Sequence, residues 1–404
     1  MNARVVITGI GVVSSIGVGK DAFWENLTRG KSGISEISVF DTTEYPTHLG
    51  GQIKDFRPQE FISEKRLKKL GRASYQAVAA AGLALKDASF KAQDSDPQRI
   101  GVIIGTTMAE TQVFEELNST WIKQGVEAVD AEWLCQIPAF ALSANVAGEF
   151  GFRGPNYVIP TACSAGNYSI GYAYDLLRSG AAEMMLAGGS DAFSRIAFTG
   201  FNRLLSIAPE KCQPFDKNRK GMMVGEGAAV LFLETLEGAL KRKAPIFAEI
   251  LGYGLSCDAR HMTAPHAEGI AMAMRKAISA AGLSLEEIDY ISAHGTGTPA
   301  NDREESAAIK QVFGGLYKRV AVSSIKSMLG HTMGAASAIE AAACCLAIKH
   351  DLIPPTINYE TPDPECDIDC VPNTSRSATV KVALNNSSAF GGNNACLVLA
   401  ECNN

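Results

Sequence analysis

A cysteine and two histidines, far apart along the chain, are the residues on which chemistry can be built. Cys163 lies in Pro160-Thr161-Ala162-Cys163-Ser164-Ala165-Gly166-Asn167. The apolar run Tyr157-Val158-Ile159 before it reads as a buried strand, and Ala165, Ile170, Ala173, Leu176 and Leu177 after it recur at helical spacing. A thiol where a strand turns into a helix meets unpaired backbone N–H groups and the positive end of the helix dipole, and both favour the thiolate. His294 stands in His294-Gly295-Thr296-Gly297-Thr298-Pro299, and His331 ends Lys326-Ser327-Met328-Leu329-Gly330-His331. Each follows a strand-like run and adjoins glycine, which lets a substrate approach the backbone closely. Lys326 and Glu340 fall in otherwise apolar surroundings, where a charge should be paired, so the two are expected to fix the tautomer of His331. His48, His261, His266 and His350 read as structural histidines.

The elements that must position these groups recur. Buried strands are expected at Val5–Val13, Arg99–Thr107, Ala182–Gly189, Gly227–Leu233, Ile246–Gly254, Ile288–Thr296 and Val320–Ile325. The Gly-x-Gly after the first does not suit a nicotinamide site, because Ser14 takes the third glycine position. Helices are expected over Ala73–Lys86, within a mixed insert at about 109–150, and over Ala271–Ala281 and Gly334–His350. The order of elements reads as two copies of one α/β unit, each setting a chemical group at the mouth of a helix. The two helices that follow Cys163 and His331 are apolar nearly all round, so they belong between layers of a sandwich.

Composition narrows the function classes. Hydrophobic residues make up 46% and charged residues 20% of the 404, an ordinary globular balance, and the net charge of -6 gives no reason to expect nucleic acid or an anionic membrane surface. The ten cysteines form no Cys-x-x-Cys pair, so no metal site is expected. No run approaches the 18 apolar residues of a membrane span, and the first residues lack a signal-peptide core, so the expected location is the cytoplasm. Against the acidic average, Lys65, Arg66, Lys68, Lys69 and Arg72 form a basic run suited to an acidic partner.

With these motifs assembled, the chain resembles the elongating β-ketoacyl-acyl-carrier-protein synthases of the thiolase-like superfamily. The resemblance covers residues 3–400 and rests on Thr161-Ala162-Cys163-Ser164, on the His294–Pro299 motif with Asp302 and Glu305, and on the Lys326–His331 motif with Gly334-Ala335-Ala336. It implies a five-layer αβαβα sandwich of two similar halves, 1–240 carrying Cys163 and 241–404 carrying both histidines. It also implies a decarboxylative Claisen condensation. Cys163 would hold an acyl thioester, while His294 and His331 would stabilise the enolate formed as malonyl thioester loses carbon dioxide. Backbone N–H groups of Cys163 and Phe390 would form the oxyanion hole. Thr296, Thr298, Met108, Ser388 and Phe390 would contact substrate or its pantetheine arm. The basic run and Arg203 would meet the acidic carrier protein. No cofactor is expected on the enzyme itself, the phosphopantetheine belonging to the carrier. A homodimer is implied, with a heterodimer containing a chain-length-factor-like subunit as the alternative.

The family's gating loop usually reads Asn-Ser-Phe-x-Phe-Gly-Gly, whereas here Ser388 replaces the first phenylalanine in Asn386-Ser387-Ser388-Ala389-Phe390-Gly391-Gly392. Polyketide ketosynthases resemble the chain more closely there, and a dissociated polyketide or polyene pathway is the expectation. Housekeeping fatty-acid elongation is the alternative. A non-catalytic chain-length subunit is disfavoured by Cys163, and a thiolase by the absence of a second cysteine in the loop at 386–394.

Overall fold

The apolar run near the N-terminus becomes the strand on which both halves hang. In the computed structural model, which describes residues 3–91, 93 and 96–403, β1 (Val5–Ser14) is buried at all ten positions. It folds back on the short β2 (Gly17–Val18) and pairs antiparallel with two further strands, β6 (Gly227–Thr235) along its whole length and β7 (Ala248–Cys257) over Val5–Ile7. The glycine alternation that superficially resembled a nucleotide loop is explained by helix packing. A Cβ on Gly11 would lie 1.8 Å from the Ala80 carbonyl oxygen of helix α1 (Arg72–Asp87), so only glycine admits the helix.

Among the described residues, eleven strands join in one sheet. The others are β3 (Ile100–Gly105), β4 (Asn156–Ile159), β5 (Met184–Asp191), β8 (Tyr290–Ser292), β9 (Ala321–Ser323), β10 (Val382–Ser388) and β11 (Asn393–Ala400). The order is β9-β8-β10-β11-β7-β1-β6-β5-β3-β4, with β2 beside β1. From one end, β4, β3 and β5 are parallel, and β6 and β1 are antiparallel to their neighbours. From the other end, β9, β8 and β10 are parallel, and β11 and β7 are antiparallel. The same five-strand topology therefore occurs twice in the same chain order, the thiolase-like arrangement of two similar halves.

The helices complete the layers. Helix α1 and α3 (Ala141–Phe150) cover the N-terminal strands, and α6 (Ala267–Ala281) with α7 (Pro299–Phe313) cover the C-terminal ones. Between the strand sets lie α4 (Ala165–Arg178) and α8 (Ala336–His350), which touch each other. Every residue of α8 from Ala336 to Ile348 is buried, as its all-round apolar sequence requires. Helix α4 is buried on one face only and keeps Tyr172 exposed. The run before Cys163 also departs from expectation. β4 is an edge strand with Asn156 and Tyr157 exposed, because no strand among the described residues pairs with its outer side. No helix among the described residues is long and apolar enough to cross a membrane.

Candidate active site

Equivalent positions of the two halves deliver the reactive groups. Cys163 follows β4, His331 follows the matching β9, and His294 follows β8. All three line one cavity of about 310 Å³, and each is almost fully buried. The His294 and His331 rings stand 5.3 Å apart, edge to face at 83°. The cysteine backbone is tied across the halves: Ser337 Oγ donates to the Cys163 carbonyl at 3.3 Å, and Ser164 Oγ to the Asn393 carbonyl at 2.8 Å.

Each imidazole is set by backbone. The His331 N–H donates to the Met223 carbonyl at 2.6 Å, and its carbonyl accepts from the Gly225 N–H at 2.9 Å. Its Nδ1 accepts from the Met333 N–H at 3.2 Å. An acceptor Nδ1 leaves Nε2 as the protonated nitrogen, a donor. The N–H groups of His294 and Gly295 both donate to the Glu305 carboxylate at 2.8 Å, while His294 Nδ1 is buried without a hydrogen-bond partner among the described residues. Burial, and then the Lys326 cation, hold both imidazoles well below their ordinary pKa, so they are neutral hydrogen-bond donors at neutral pH.

Two sequence expectations are corrected here. Lys326 and Glu340 do not set the His331 tautomer. They pair with each other, both about 1% exposed, and the Met333 amide does that work. Nor does the helix terminus make Cys163 acidic. Burial pushes its thiol up to about 12, against the opposing pull of Lys326 and of the Cys163 and Phe390 N–H groups. Removing the sulfur from water in a closed chamber outweighs a terminal dipole.

Thr296, Thr298, Ser388 and Phe390 line the cavity with Cys163. The two threonine hydroxyls lie 2.9 Å apart. Met108 does not line it: its N–H donates to Asp191, and its side chain packs with the apolar cluster of Phe193, Phe198 and Met333. Residues that sequence reasoning missed form the rim: Phe201, Leu204, Leu205, His261 and Met262. Phe201 meets Phe390 at 5.7 Å. His261 is therefore a rim residue as well as a turn former, its Nδ1 accepting from the Thr263 and Ala264 N–H groups. Only the run of apolar residues after Arg203 hinted at this rim.

The basic run divides. Arg72 is turned inward and binds Glu226 through two nitrogens at 2.7 and 2.6 Å, so it cannot serve a partner. Arg66 pairs with Glu149 at 2.7 Å and Lys69 with Glu132 at 2.9 Å. Lys65 and Lys68 are exposed and form no ion pair among the described residues. Arg203 is exposed at the end of helix α5 (Arg195–Arg203), next to the rim. No cluster of metal-ligating side chains occurs among the described residues.

Comparison with known proteins places this geometry. The model of the β-ketoacyl synthase N-terminal domain matches residues 2–239, and that of the C-terminal domain residues 247–360. A 3-oxoacyl-[acyl-carrier-protein] synthase 2 from Synechocystis sp. is 41% identical over 98% of both chains. The solved ishigamide ketosynthase/chain length factor is 47% identical, covers 100% of both chains and superposes with a TM-score of 0.96. A type II PKS acyl-carrier protein in complex with its ketosynthase bound to the hexaketide gives 34% identity and a TM-score of 0.92 over the whole of both chains.

Proposed function

Given that the chain belongs to the β-ketoacyl synthase family, we propose that it carries out a decarboxylative Claisen condensation on carrier-bound thioesters in a dissociated polyketide or polyene pathway. Its relatives are acyl transferases, and the chamber shared by Cys163, His294 and His331 carries the reading. Cys163 takes the acyl group from a carrier's phosphopantetheine thiol and holds it as a thioester. Malonyl thioester then enters. His331 and His294, both neutral, donate hydrogen bonds to its carbonyl oxygen as the carboxylate leaves as carbon dioxide. The resulting enolate carbon attacks the acyl carbonyl, and the N–H groups of Cys163 and Phe390 stabilise the oxyanion until the cysteine sulfur departs. Thr296 and Thr298 sit where a pantetheine arm would pass. The chemistry calls for no cofactor on the enzyme itself.

The pathway reading rests on Ser388, a small buried hydroxyl on the cavity wall where many relatives carry a bulky gate. A polar wall suits a chain that keeps carbonyls or double bonds. Partners of two kinds fit. An acidic acyl carrier protein would dock at the cations; one of the similar solved structures is a type II PKS acyl-carrier protein in complex with its ketosynthase. A second subunit of the same fold, identical or a chain-length factor as in the ishigamide pair, would cover the open edge of β4.

Intact-mass analysis of the enzyme with its carrier tests both levels. A covalent acyl adduct that disappears in Cys163→Ala is expected, and condensation persisting in that variant would sink the chemistry. Offered matched saturated, polyunsaturated and poly-β-keto chains, the enzyme should prefer the latter two. A clear preference for saturated chains would favour fatty-acid elongation, the activity that the name of the Synechocystis relative supports.

A further inference from the structure

Asp191 ends β5 with its carboxylate fully buried, and none of the ion pairs among the described residues reaches it. An isolated buried carboxylate is costly unless hydrogen bonds replace its water. Four do. Oδ1 accepts from the Thr106 hydroxyl at 2.6 Å and the Met108 N–H at 2.9 Å. Oδ2 accepts from the Thr107 N–H at 2.7 Å and the Gly334 N–H at 2.7 Å. One residue thus clamps the end of β3 to the turn that opens α8.

That turn carries the group that matters. Gly334 follows Met333, whose N–H supplies Nδ1 of His331. Met333 is held at φ +54, a conformation that a residue with a side chain enters only at a cost, so something must hold it there. The packing against Thr106 leaves no slack, since a Cβ on Gly334 would lie 2.6 Å from the Thr106 Cα. The carboxylate also lies close enough to the nucleophile for its charge to oppose the thiolate of Cys163. We propose that Asp191 is a positioning residue for the condensation: by gripping Gly334 it fixes the Met333 amide against His331 Nδ1 and so keeps Nε2 the proton donor. This rests on the reading of His331 as an enolate-stabilising donor.

The test is Asp191→Asn in the full-length enzyme. The amide replaces one acceptor oxygen with a donor: facing Thr107 and Gly334 it leaves both N–H groups without a partner, and facing the other way it leaves the Met108 N–H without one while the Thr106 hydroxyl turns to accept. The kcat for malonyl-carrier decarboxylation is expected to fall about 100-fold with KM changed by less than about twofold, the scale of a misplaced donor. Acyl loading of Cys163, read by intact mass, should persist. Ring nitrogen shifts of 15N-labelled histidine, assigned with His331→Ala, should move from one tautomer to an average of two. If kcat, KM and loading fall together while the tautomer is unchanged, Asp191 is only structural and the inference is overturned. Wild-type behaviour of Asp191→Asn overturns it too. Should that variant fail to fold, Thr106→Val, which removes the hydroxyl that donates to Asp191 and accepts from the Ala109 N–H but leaves the three backbone N–H bonds to the carboxylate, decides: about a tenfold drop in kcat with loading intact supports it, and an unchanged kcat overturns it. A wild-type enzyme that does not decarboxylate, or a His331→Ala variant that does so normally, would instead sink the functional reading beneath.

Discussion

The cysteine at the centre of the chemistry has its thiol pushed up to about 12 by burial, so its reactivity must come from the chamber. Below that value the thiolate fraction rises tenfold for each pH unit. Alkylation of Cys163 by iodoacetamide, followed by mass, should therefore accelerate steadily from pH 7 to 9 without levelling off; a plateau near neutrality would mean that the helix terminus wins after all. The neighbouring charges make a second prediction. Lys326 and Glu340 are both buried and paired, and burial, only partly offset by the Lys326 cation, raises Glu340 to about 7. Glu340→Gln leaves a cation without its partner and should cost about 3–5 kcal/mol in urea unfolding, whereas adding Lys326→Met should restore much of it. A loss below about 1 kcal/mol in the single variant would show that the pair is uncoupled. That Cys163, His294 and His331 would meet in one cavity was legible because each sits in a short, distinctive motif. Their protonation was not legible: it depends on how far water is excluded, and that is decided by residues hundreds of positions away.

At the level of elements, the repeat was legible because both halves place buried, non-alternating runs in the same order, and parallel strands covered on both faces leave that pattern. The exposure of β4 was not. A run such as Tyr157-Val158-Ile159 looks the same at a sheet edge as in a sheet centre. The glycines of β1 illustrate how an element's sequence can answer to a helix rather than to a ligand. Gly11 faces the Ala80 carbonyl so closely that Gly11→Ala must push α1 off the sheet. The expected cost is about 3 kcal/mol or more, at the upper end for an overpacked core, measured as a lowered urea midpoint with an unchanged slope. Gly151→Ala provides the contrast. Nothing lies within 4 Å of its Cβ, so only its left-handed φ of 71° is at stake, and the loss should be about 1 kcal/mol. Equal losses in the two would contradict a steric role for Gly11.

For the whole molecule, the question is how an acidic protein, net charge -6, would receive the acidic carrier proposed for it. Composition showed a basic run but not which of its members are free, because the partners of a cation are set by the fold. Glu226, 154 residues from Arg72 in sequence, removes that arginine from the surface. Glu149 and Glu132 engage Arg66 and Lys69. The Lys69 pair is exposed and so worth little, leaving that lysine recruitable. Under the proposed function, Lys65 and Lys68 are the cations left to attract a carrier. Charges of this kind act on encounter and orientation more than on the bound chemistry. Reversing both, Lys65→Glu with Lys68→Glu, should raise KM for carrier-bound substrate about tenfold while leaving kcat at saturation unchanged. The penalty should shrink near 1 M salt, where the screening length falls to about 3 Å. A short thioester without the carrier should be used equally well by both enzymes, because it never meets the patch. Arg72→Glu should behave differently: it leaves Glu226 buried against a second carboxylate, so it should lower the unfolding midpoint before it alters KM. If the lysine reversals were silent for carrier-bound substrate at low salt, docking would have to be assigned to the Arg203 side of the mouth.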